Sequence, residues 1–235
     1  MKQKIKVLLI IYILLFLNIF PSYSHEIKKE EVEKIVKNYL IQNPELIQST
    51  LDDYKKTIEA NKKNNAITLL RDIKNPGFFN ENSDIIVYEF FDYNCGYCKS
   101  VVEPIMEVIS EDTKVDFVFV EFPILSQSSY IAATAALASE KQGLYNDFHL
   151  SLMKKRGRIT EDVIFDVAKK TGLDINQLKT DMRSKEIENK IKKNRDVAKL
   201  LNLNGTPAFI IGDIIYPGAL QKSNLKQMIK NFREK

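Results

Sequence analysis

The chain has 235 residues, and its 35 basic side chains are nearly balanced by 31 acidic ones, which argues against nucleic acid as a partner. It contains two cysteines, two histidines and no tryptophan. A zinc site usually has four ligands, and besides the cysteines only His25 and His149 are available, so zinc binding is a weak hypothesis. The two cysteines are therefore the residues that most favour a chemical function.

Residues 1–24 have the pattern of a cleaved export signal. Three lysines precede an apolar run over 7–20, and Ser22 and Ser24 offer small residues to a signal peptidase. The alternative is a membrane anchor, but a bilayer core needs about 20 apolar residues, and this run is shorter and interrupted by Asn18. Removing the segment lowers the formal net charge from +4 to +1. We expect cleavage near Ser24 and export to the periplasm, a compartment in which disulfides form and persist.

Residues 25–74 are rich in lysine, glutamate and asparagine and have helical periodicity. One amphipathic helix is predicted around 32–40, and Asn43-Pro44 then starts a second one. The apolar positions of the second helix recur at spacings of four, three and four, at Ile47, Leu51, Tyr54 and Ile58. Because helices this short bury little surface alone, we expect them to pack against the catalytic domain or against copies of themselves. The alternative is a solvated arm on a monomer, since the apolar seam is short.

A strand is predicted over 85–91, where the residues are apolar, β-branched or aromatic and lack clean alternation. This pattern is typical of a strand covered on both faces. Glu89 is the exception, because burying a carboxylate costs several kcal/mol unless its pKa shifts or it finds a partner. We predict that Glu89 is a buried acid that relays a proton to and from the thiols that follow. The alternative is an edge strand on which Glu89 faces water.

The two cysteines lie three residues apart in the segment DYNCGYCK, which covers 92–99. Such a pair is typical of a redox couple, whereas a structural disulfide closing so short a loop would stabilise little. A helix is predicted to start at Cys95, where unpaired amide groups and the helix dipole favour a thiolate. Cys95 is therefore the predicted attacking sulfur. Cys98, one turn further in and more covered, is the predicted resolving thiol.

Further along, a strand is predicted over 115–122 and is followed by a long helical stretch to about 201. Two short strands, 208–211 and 214–216, are joined by a tight turn, and a final helix begins near Ser223. This mixture of strands and helices is typical of an α/β fold.

Thr206-Pro207 leads into the first of these short strands, at a position where proline is allowed. A cis Thr206–Pro207 bond would leave the Thr206 backbone free to pair with a substrate strand. Taken alone, this motif is an ordinary turn.

Taken together and in this order, four segments resemble the DsbA-like branch of the thioredoxin superfamily over about residues 75–235. They are Glu-Phe-Phe-Asp-Tyr, Cys-Gly-Tyr-Cys-Lys, Glu-Phe-Pro-Ile-Leu and Gly-Thr-Pro-Ala-Phe. The ordered set is far more specific than the cysteine pair alone. The resemblance implies a thioredoxin fold with an inserted helical subdomain at about 127–201 and an N-terminal helical arm. The arm, 25–74, resembles that of ScsC-type members, which implies a trimer or another homo-oligomer.

The resemblance also implies roles for individual residues. Cys95 corresponds to the nucleophile, Cys98 to the resolving thiol and Glu89 to the buried acid, while Pro207 corresponds to a cis-proline facing the pair. We expect Gly96, Tyr97, Thr206 and Pro207 to form the substrate-binding surface. No cofactor and no metal are expected beyond the thiols themselves.

Three functions are compatible with these residues. The favoured one is an exported thiol:disulfide oxidoreductase that acts as an isomerase or reductase on secreted proteins. Gly96-Tyr97 lacks the histidine of the most oxidising members, and Thr206 is closer to isomerase-type members than the valine usual in strong oxidases. The first alternative is a DsbA-type dithiol oxidase, and the second is a non-enzymatic metal-binding or holdase protein. Either redox function implies secreted substrates and a membrane partner that resets the thiols.

Overall fold

The computed structural model describes residues 28–234, so the predicted export signal lies outside the described residues. Two compact units divide the chain between Lys56 and Thr57. The helices are α1 Lys29–Gln42, α2 Pro44–Asp72, α3 Gly96–Glu111, α4 Gln127–Glu140, α5 Tyr145–Met153, α6 Glu161–Lys170, α7 Ile175–Asp181, α8 Lys185–Leu200 and α9 Lys222–Arg233. The strands are β1 Gly77–Phe78, β2 Ile85–Phe91, β3 Val115–Glu121, β4 Ala208–Ile211 and β5 Ile214–Pro217.

The strands form one sheet in the order β1-β3-β2-β4-β5. β2 and β3 are parallel, and the other neighbouring pairs are antiparallel. The apolar runs of β2 and β3 are therefore interior strands, as their lack of alternation predicts. A two-residue turn joins β4 to β5, and Gly212 adopts a φ of +62° there, which suits a hairpin turn.

The sheet is covered on both faces. On one face, alternate residues of β2 such as Val87 and Phe91 pack with α3, α9 and the helices that lie between β3 and β4. On the other face, Tyr88 and Phe90 pack against α8 and against the last turns of α2, where Ala66, Ile67 and Leu70 are buried. Since Glu89 has the same parity as Val87 and Phe91, its side chain lies on the α3 face.

The unit that ends at Lys56 has a different character. Helix α1 has no buried residue, and its apolar side chains are exposed at Val32, Ile35, Val36 and Tyr39. On α2 the predicted seam is exposed as well, at Ile47, Leu51 and Tyr54 in this unit and at Ile58 just after it. These helices therefore present apolar faces to solvent. Within residues 28–234, no helix is both long enough and apolar enough to cross a bilayer.

The sequence pattern did not predict strand β1. β1 is two residues long, too short for a periodicity signal, and it pairs with β3 at the edge of the sheet. A side chain at Gly77 would overlap the carbonyl group of Phe117, so this close approach of two backbones requires glycine.

Candidate active site

The two cysteines lie where β2 gives way to α3. Cys95 is the N-cap residue of α3, and Cys98 lies in its first turn. Cys95 is 6% exposed and Cys98 is fully buried. The structure therefore places the outer sulfur at a helix N-terminus and the inner one behind it, as the spacing predicts.

The environment of Cys95 favours its ionised form and lowers its pKa to about 5. The largest cause is a hydrogen bond from the Cys98 thiol, and burial opposes it. The amides of Cys98 and Tyr97 also stabilise the charge, the Cys98 amide lying 3.4 Å from the sulfur. A sulfur with these donors is a thiolate at neutral pH and therefore a nucleophile.

Cys98 is in the opposite state. Burial raises its pKa strongly, and its hydrogen bond to Cys95 and the charge of Glu89 raise it further. At neutral pH Cys98 is therefore a thiol that must lose a proton before it can attack. The two sulfurs thus differ in the way that the predicted division between attacking and resolving thiols requires.

Glu89 lies in β2, between β3 and β4, and is 1% exposed. The alternative that Glu89 faces water from an edge strand is therefore wrong. Burial raises the pKa of its carboxyl to about 8, and the negative charge of Cys95 contributes to the rise. Its Oε1 atom has no hydrogen-bond partner within the described residues. Glu89 is consequently a protonated acid near neutral pH.

The Thr206–Pro207 peptide bond is cis, as the resemblance implies. It places the carbonyl oxygen of Thr206 3.2 Å from the Cys95 sulfur, where it accepts a hydrogen bond from the thiol when that is protonated. Tyr97 is 73% exposed beside the pair, and a Cβ added at Gly96 would meet nothing within 4 Å. Gly96 and Tyr97 are therefore exposed beside Cys95, Thr206 is half-buried with its carbonyl oxygen against the sulfur, and Pro207 is buried.

Asp92 anchors the loop that precedes Cys95, a role that sequence reasoning missed. Its buried carboxylate accepts hydrogen bonds from the amides of Ile124 and Leu125, both at 2.9 Å, and from the Asn94 amide at 2.7 Å. An aspartate two residues before an asparagine is a turn signal that could have indicated this loop. Its long-range partners could not be read from the local sequence.

Asn94 provides the second anchor. Its amide nitrogen donates to the hydroxyl groups at the start of α4, in Ser126, Ser128 and Ser129, at 3.0 to 3.3 Å. Its Oδ1 accepts from the Ile159 amide at 2.7 Å. The residue next to Cys95 is thereby fixed to two parts of the helical insertion.

Residues 86–230, more than half of the chain, match the family described as the DSBA-like thioredoxin domain. The chain belongs to this family. Among solved structures, a thioredoxin-like oxidoreductase from Silicibacter pomeroyi DSS-3 is 37% identical and has a TM-score of 0.66. The match covers 68% of this chain and 92% of the other. The predicted α/β thioredoxin fold with a helical insertion is confirmed.

Two further relatives extend the comparison. The probable disulfide bond formation protein D of Bacillus anthracis is 28% identical over 166 residues, which are 64% of this chain and 76% of the relative. Proteus mirabilis ScsC in a transitional conformation is 25% identical with a TM-score of 0.64, over 86% of this chain and 95% of that one. The catalytic domain of the same ScsC, also 25% identical, covers 73% of this chain at a TM-score of 0.65.

This DsbA-like domain contains a second buried polar group that the sequence did not reveal. Glu121 accepts hydrogen bonds from the hydroxyl groups of Tyr93 at 3.0 Å and Tyr145 at 2.9 Å. The Tyr93 hydroxyl also lies 3.0 Å from Nδ1 of His149, a buried residue whose ring stacks on Tyr145. Burial raises the pKa of Glu121 well above its usual range and lowers that of His149 to about 3. His149 is therefore a neutral, packed side chain.

Proposed function

We propose that this chain is an exported thiol:disulfide oxidoreductase that rearranges or reduces disulfide bonds in secreted proteins. The observation that carries the proposal is the Cys95 thiolate lying at a helix N-terminus, next to the exposed Tyr97 and in front of a buried Cys98 thiol. Export is inferred from the pattern of residues 1–24.

In the first step, the Cys95 thiolate attacks one sulfur of a substrate disulfide. A new bond forms between Cys95 and that sulfur, and the other substrate sulfur leaves as a thiolate. In isomerisation, a substrate thiolate then attacks the mixed disulfide and releases Cys95 unchanged. In reduction, Cys98 loses its proton and attacks Cys95, so the substrate gains two electrons and the pair becomes a disulfide.

Glu89 is the proposed proton carrier for that second step. In the reduced enzyme the Cys95 thiolate raises the pKa of Glu89, so the carboxyl group holds its proton. Once Cys95 is bonded to a substrate sulfur this charge is lost, the pKa of Glu89 falls, and more of the group is carboxylate, the form that can accept a proton. Its buried position on the α3 face of β2 suits the transfer of a proton from Cys98.

A dithiol oxidase is the second candidate, and one observation favours it. A thiolate stabilised to a pKa of about 5 makes the reduced pair more stable and therefore makes the disulfide a better oxidant. The absence of a histidine at Gly96-Tyr97 argues the other way. In both cases we propose a membrane redox partner that restores the resting state of the pair.

The exposed seam of the arm supports a homo-oligomer, with a trimer as one arrangement. Its apolar residues lie three or four apart on helices that bury little by themselves. The full ScsC structure covers more of this chain than its catalytic domain does, so the likeness extends beyond the catalytic domain. We expect Leu51→Lys in the full chain to lower the mass measured by light scattering. Ala60→Lys, on the opposite side of α2, is the matched control, and a full chain that is monomeric without substitution contradicts the proposal.

Ribonuclease refolding distinguishes the redox functions. Reduced full chain is added to scrambled ribonuclease, oxidised full chain is added to reduced ribonuclease, and recovered nuclease activity is compared with a glutathione buffer alone. An isomerase accelerates the first reaction more, and an oxidase accelerates the second. If neither reaction exceeds that of the Cys95→Ala variant, the proposed function is wrong.

A further inference from the structure

A cationic loop connects α5 to α6 in the helical insertion. Four of its five residues over 154–158 are basic and none is acidic, in the order Lys-Lys-Arg-Gly-Arg. The rest of the chain balances its charges, with 31 basic and 31 acidic residues outside this loop. The proposed thiol chemistry does not use these side chains.

Two hydrogen bonds fix this loop beside the reactive sulfur. The Lys99 ammonium group donates to the Gly157 carbonyl at 2.8 Å, and Lys99 lies one helical turn after Cys95. The Ile159 amide donates to Asn94, the residue immediately before Cys95, at 2.7 Å. The loop is therefore held by residues on both sides of the attacking sulfur. A substrate that reaches Cys95 must pass close to it.

The charges of this loop are available to a partner. Arg156 and Arg158 are exposed, and neither forms an ion pair within the described part of the chain. Lys155 reaches Asp166 only at 4.0 Å, and Asp166 also pairs with Lys170 at 2.7 Å.

The acidic residues nearest to the loop in the chain are Glu161 and Asp162, and the four basic residues of the loop outnumber them. Glu161 and Asp162 lie in the first turn of α6, where the helix dipole attracts their charges. Asp92 is buried and bound to backbone amides. Glu89 carries a proton near neutral pH because its pKa is raised to about 8.

We propose that the cationic loop makes this oxidoreductase selective for substrates in which carboxylate side chains flank the reacting disulfide. The inference rests on the proposed function, because the chemistry itself is that of Cys95. A thiolate repels an anionic substrate, and exposed guanidinium groups beside it reverse the sign of that interaction. Fields of this kind change association rates by roughly 10- to 1000-fold and weaken as salt screens them.

Three synthetic peptide disulfides test this selectivity. Each is a dimer of a short peptide with one cysteine, flanked by glutamate, serine or lysine. Reduced full chain is mixed with each dimer, and loss of the Cys95 thiolate absorbance gives the attack rate. At low salt we expect the glutamate dimer to react about tenfold faster than the serine dimer, and the lysine dimer to react slowest. At high salt the three rates should converge.

Charge reversal in the loop should reverse this order. The test variant is Arg156→Glu/Arg158→Glu. The control is Arg183→Glu/Lys185→Glu, which has the same spacing and the same charge change on exposed residues at the start of α8. This control site is remote from Cys95. Glu186, next to the control residues, pairs with Lys141, which follows the C-terminal end of α4. Asn94, next to Cys95, contacts the N-terminal end of the same helix. The control should retain the preference for glutamate.

The outcomes distinguish a failure of the proposed selectivity from a failure of the proposed thiol:disulfide function. The proposed selectivity is wrong if the parent chain attacks the three dimers at equal rates at low salt. It is also wrong if the parent's rates differ and the loop variant shows the same differences. The serine dimer shows whether the variant still folds and reacts, since its rate should change by less than about twofold. If no dimer consumes the Cys95 thiolate in any variant, the proposed function itself is wrong.

Discussion

The surface around Cys95 and the interior behind it each hold an acidic group with little exposed area. The pKa values of these two groups shift in opposite directions. Cys95 is 6% exposed, yet its pKa falls to about 5 because several donors point at the sulfur. Glu89 is 1% exposed, one of its oxygens has no partner in the described residues, and its pKa rises to about 8. Burial therefore raises the pKa of Glu89, where one oxygen has no donor, whereas at Cys95 the hydrogen-bond donors outweigh burial.

The largest effect should come from removing either sulfur. Cys95→Ala removes the only stabilised thiolate and should reduce thiol exchange to the background rate. Cys98→Ala keeps the attacking sulfur and should trap mixed disulfides with substrates, because the resolving step is lost. Non-reducing electrophoresis and mass spectrometry of the trapped adducts measure both outcomes. Equal residual activity in the two variants would contradict the division of roles.

Glu89→Gln tests whether the buried carboxyl group carries the proton of Cys98. If Glu89 accepts the proton of Cys98, its loss should slow the resolving step by about 100-fold, the lower range for general acid–base catalysis. The first attack by Cys95 should change little. Rapid-mixing kinetics on a preformed mixed disulfide isolate the resolving step. An unchanged resolving rate at every pH between 5 and 9 would rule out the proton-carrier role.

The same substitution should also change stability with pH. The unfolded carboxyl group ionises near 4.5 and the folded one near 8, so the stability contributed by Glu89 is complete below 4.5 and is lost as the pH rises through 8. Relative to the parent, Glu89→Gln should therefore be more stable at pH 8 than at pH 4.5, by an amount on the order of a few kcal/mol. Urea unfolding of the reduced proteins at both pH values checks the sign.

The pKa of Cys95 makes the opposite prediction. Its folded pKa is about 5 and lies below the unfolded value of 9.0, so its stabilising contribution is present above pH 9 and is lost as the pH falls through 5. The stability difference between the reduced parent and Cys95→Ser should accordingly grow from pH 5 to pH 9. Thiolate absorbance should titrate near pH 5. A midpoint near 9 in the folded protein would contradict the environment described for this sulfur.

A smaller effect is expected from Tyr93→Phe. It removes the hydroxyl group that donates to Glu121 and lies beside Nδ1 of His149, while leaving the thiols in place. A buried polar group left without its partner costs about 1–3 kcal/mol, and urea unfolding measures this loss. The attack rate of Cys95 should stay within about twofold. Tyr130→Phe, a half-buried tyrosine in α4, is the matched control.

Much of the site could be predicted because its signals are local. An apolar strand, a turn and a helix that starts at a cysteine are adjacent in the chain, so the placement of Cys95 and Cys98 follows from 85–98 alone. Glu89 was recognisable because a carboxylate is unusual in a covered strand. The arm helices were likewise visible from their apolar spacing.

The amino-acid sequence by itself determined the strands β2 to β5 and which sulfur lies at the helix N-terminus. Only the tertiary structure decided what surrounds that sulfur. Thr206 meets Cys95 across 111 residues, Asn94 meets Ile159 across 65, and Glu121 meets Tyr93 and Tyr145 in the interior. The physical reason is that dihedral preferences and hydrophobic periodicity act over a few residues, whereas hydrogen-bond donors that set a pKa arrive through packing of distant segments.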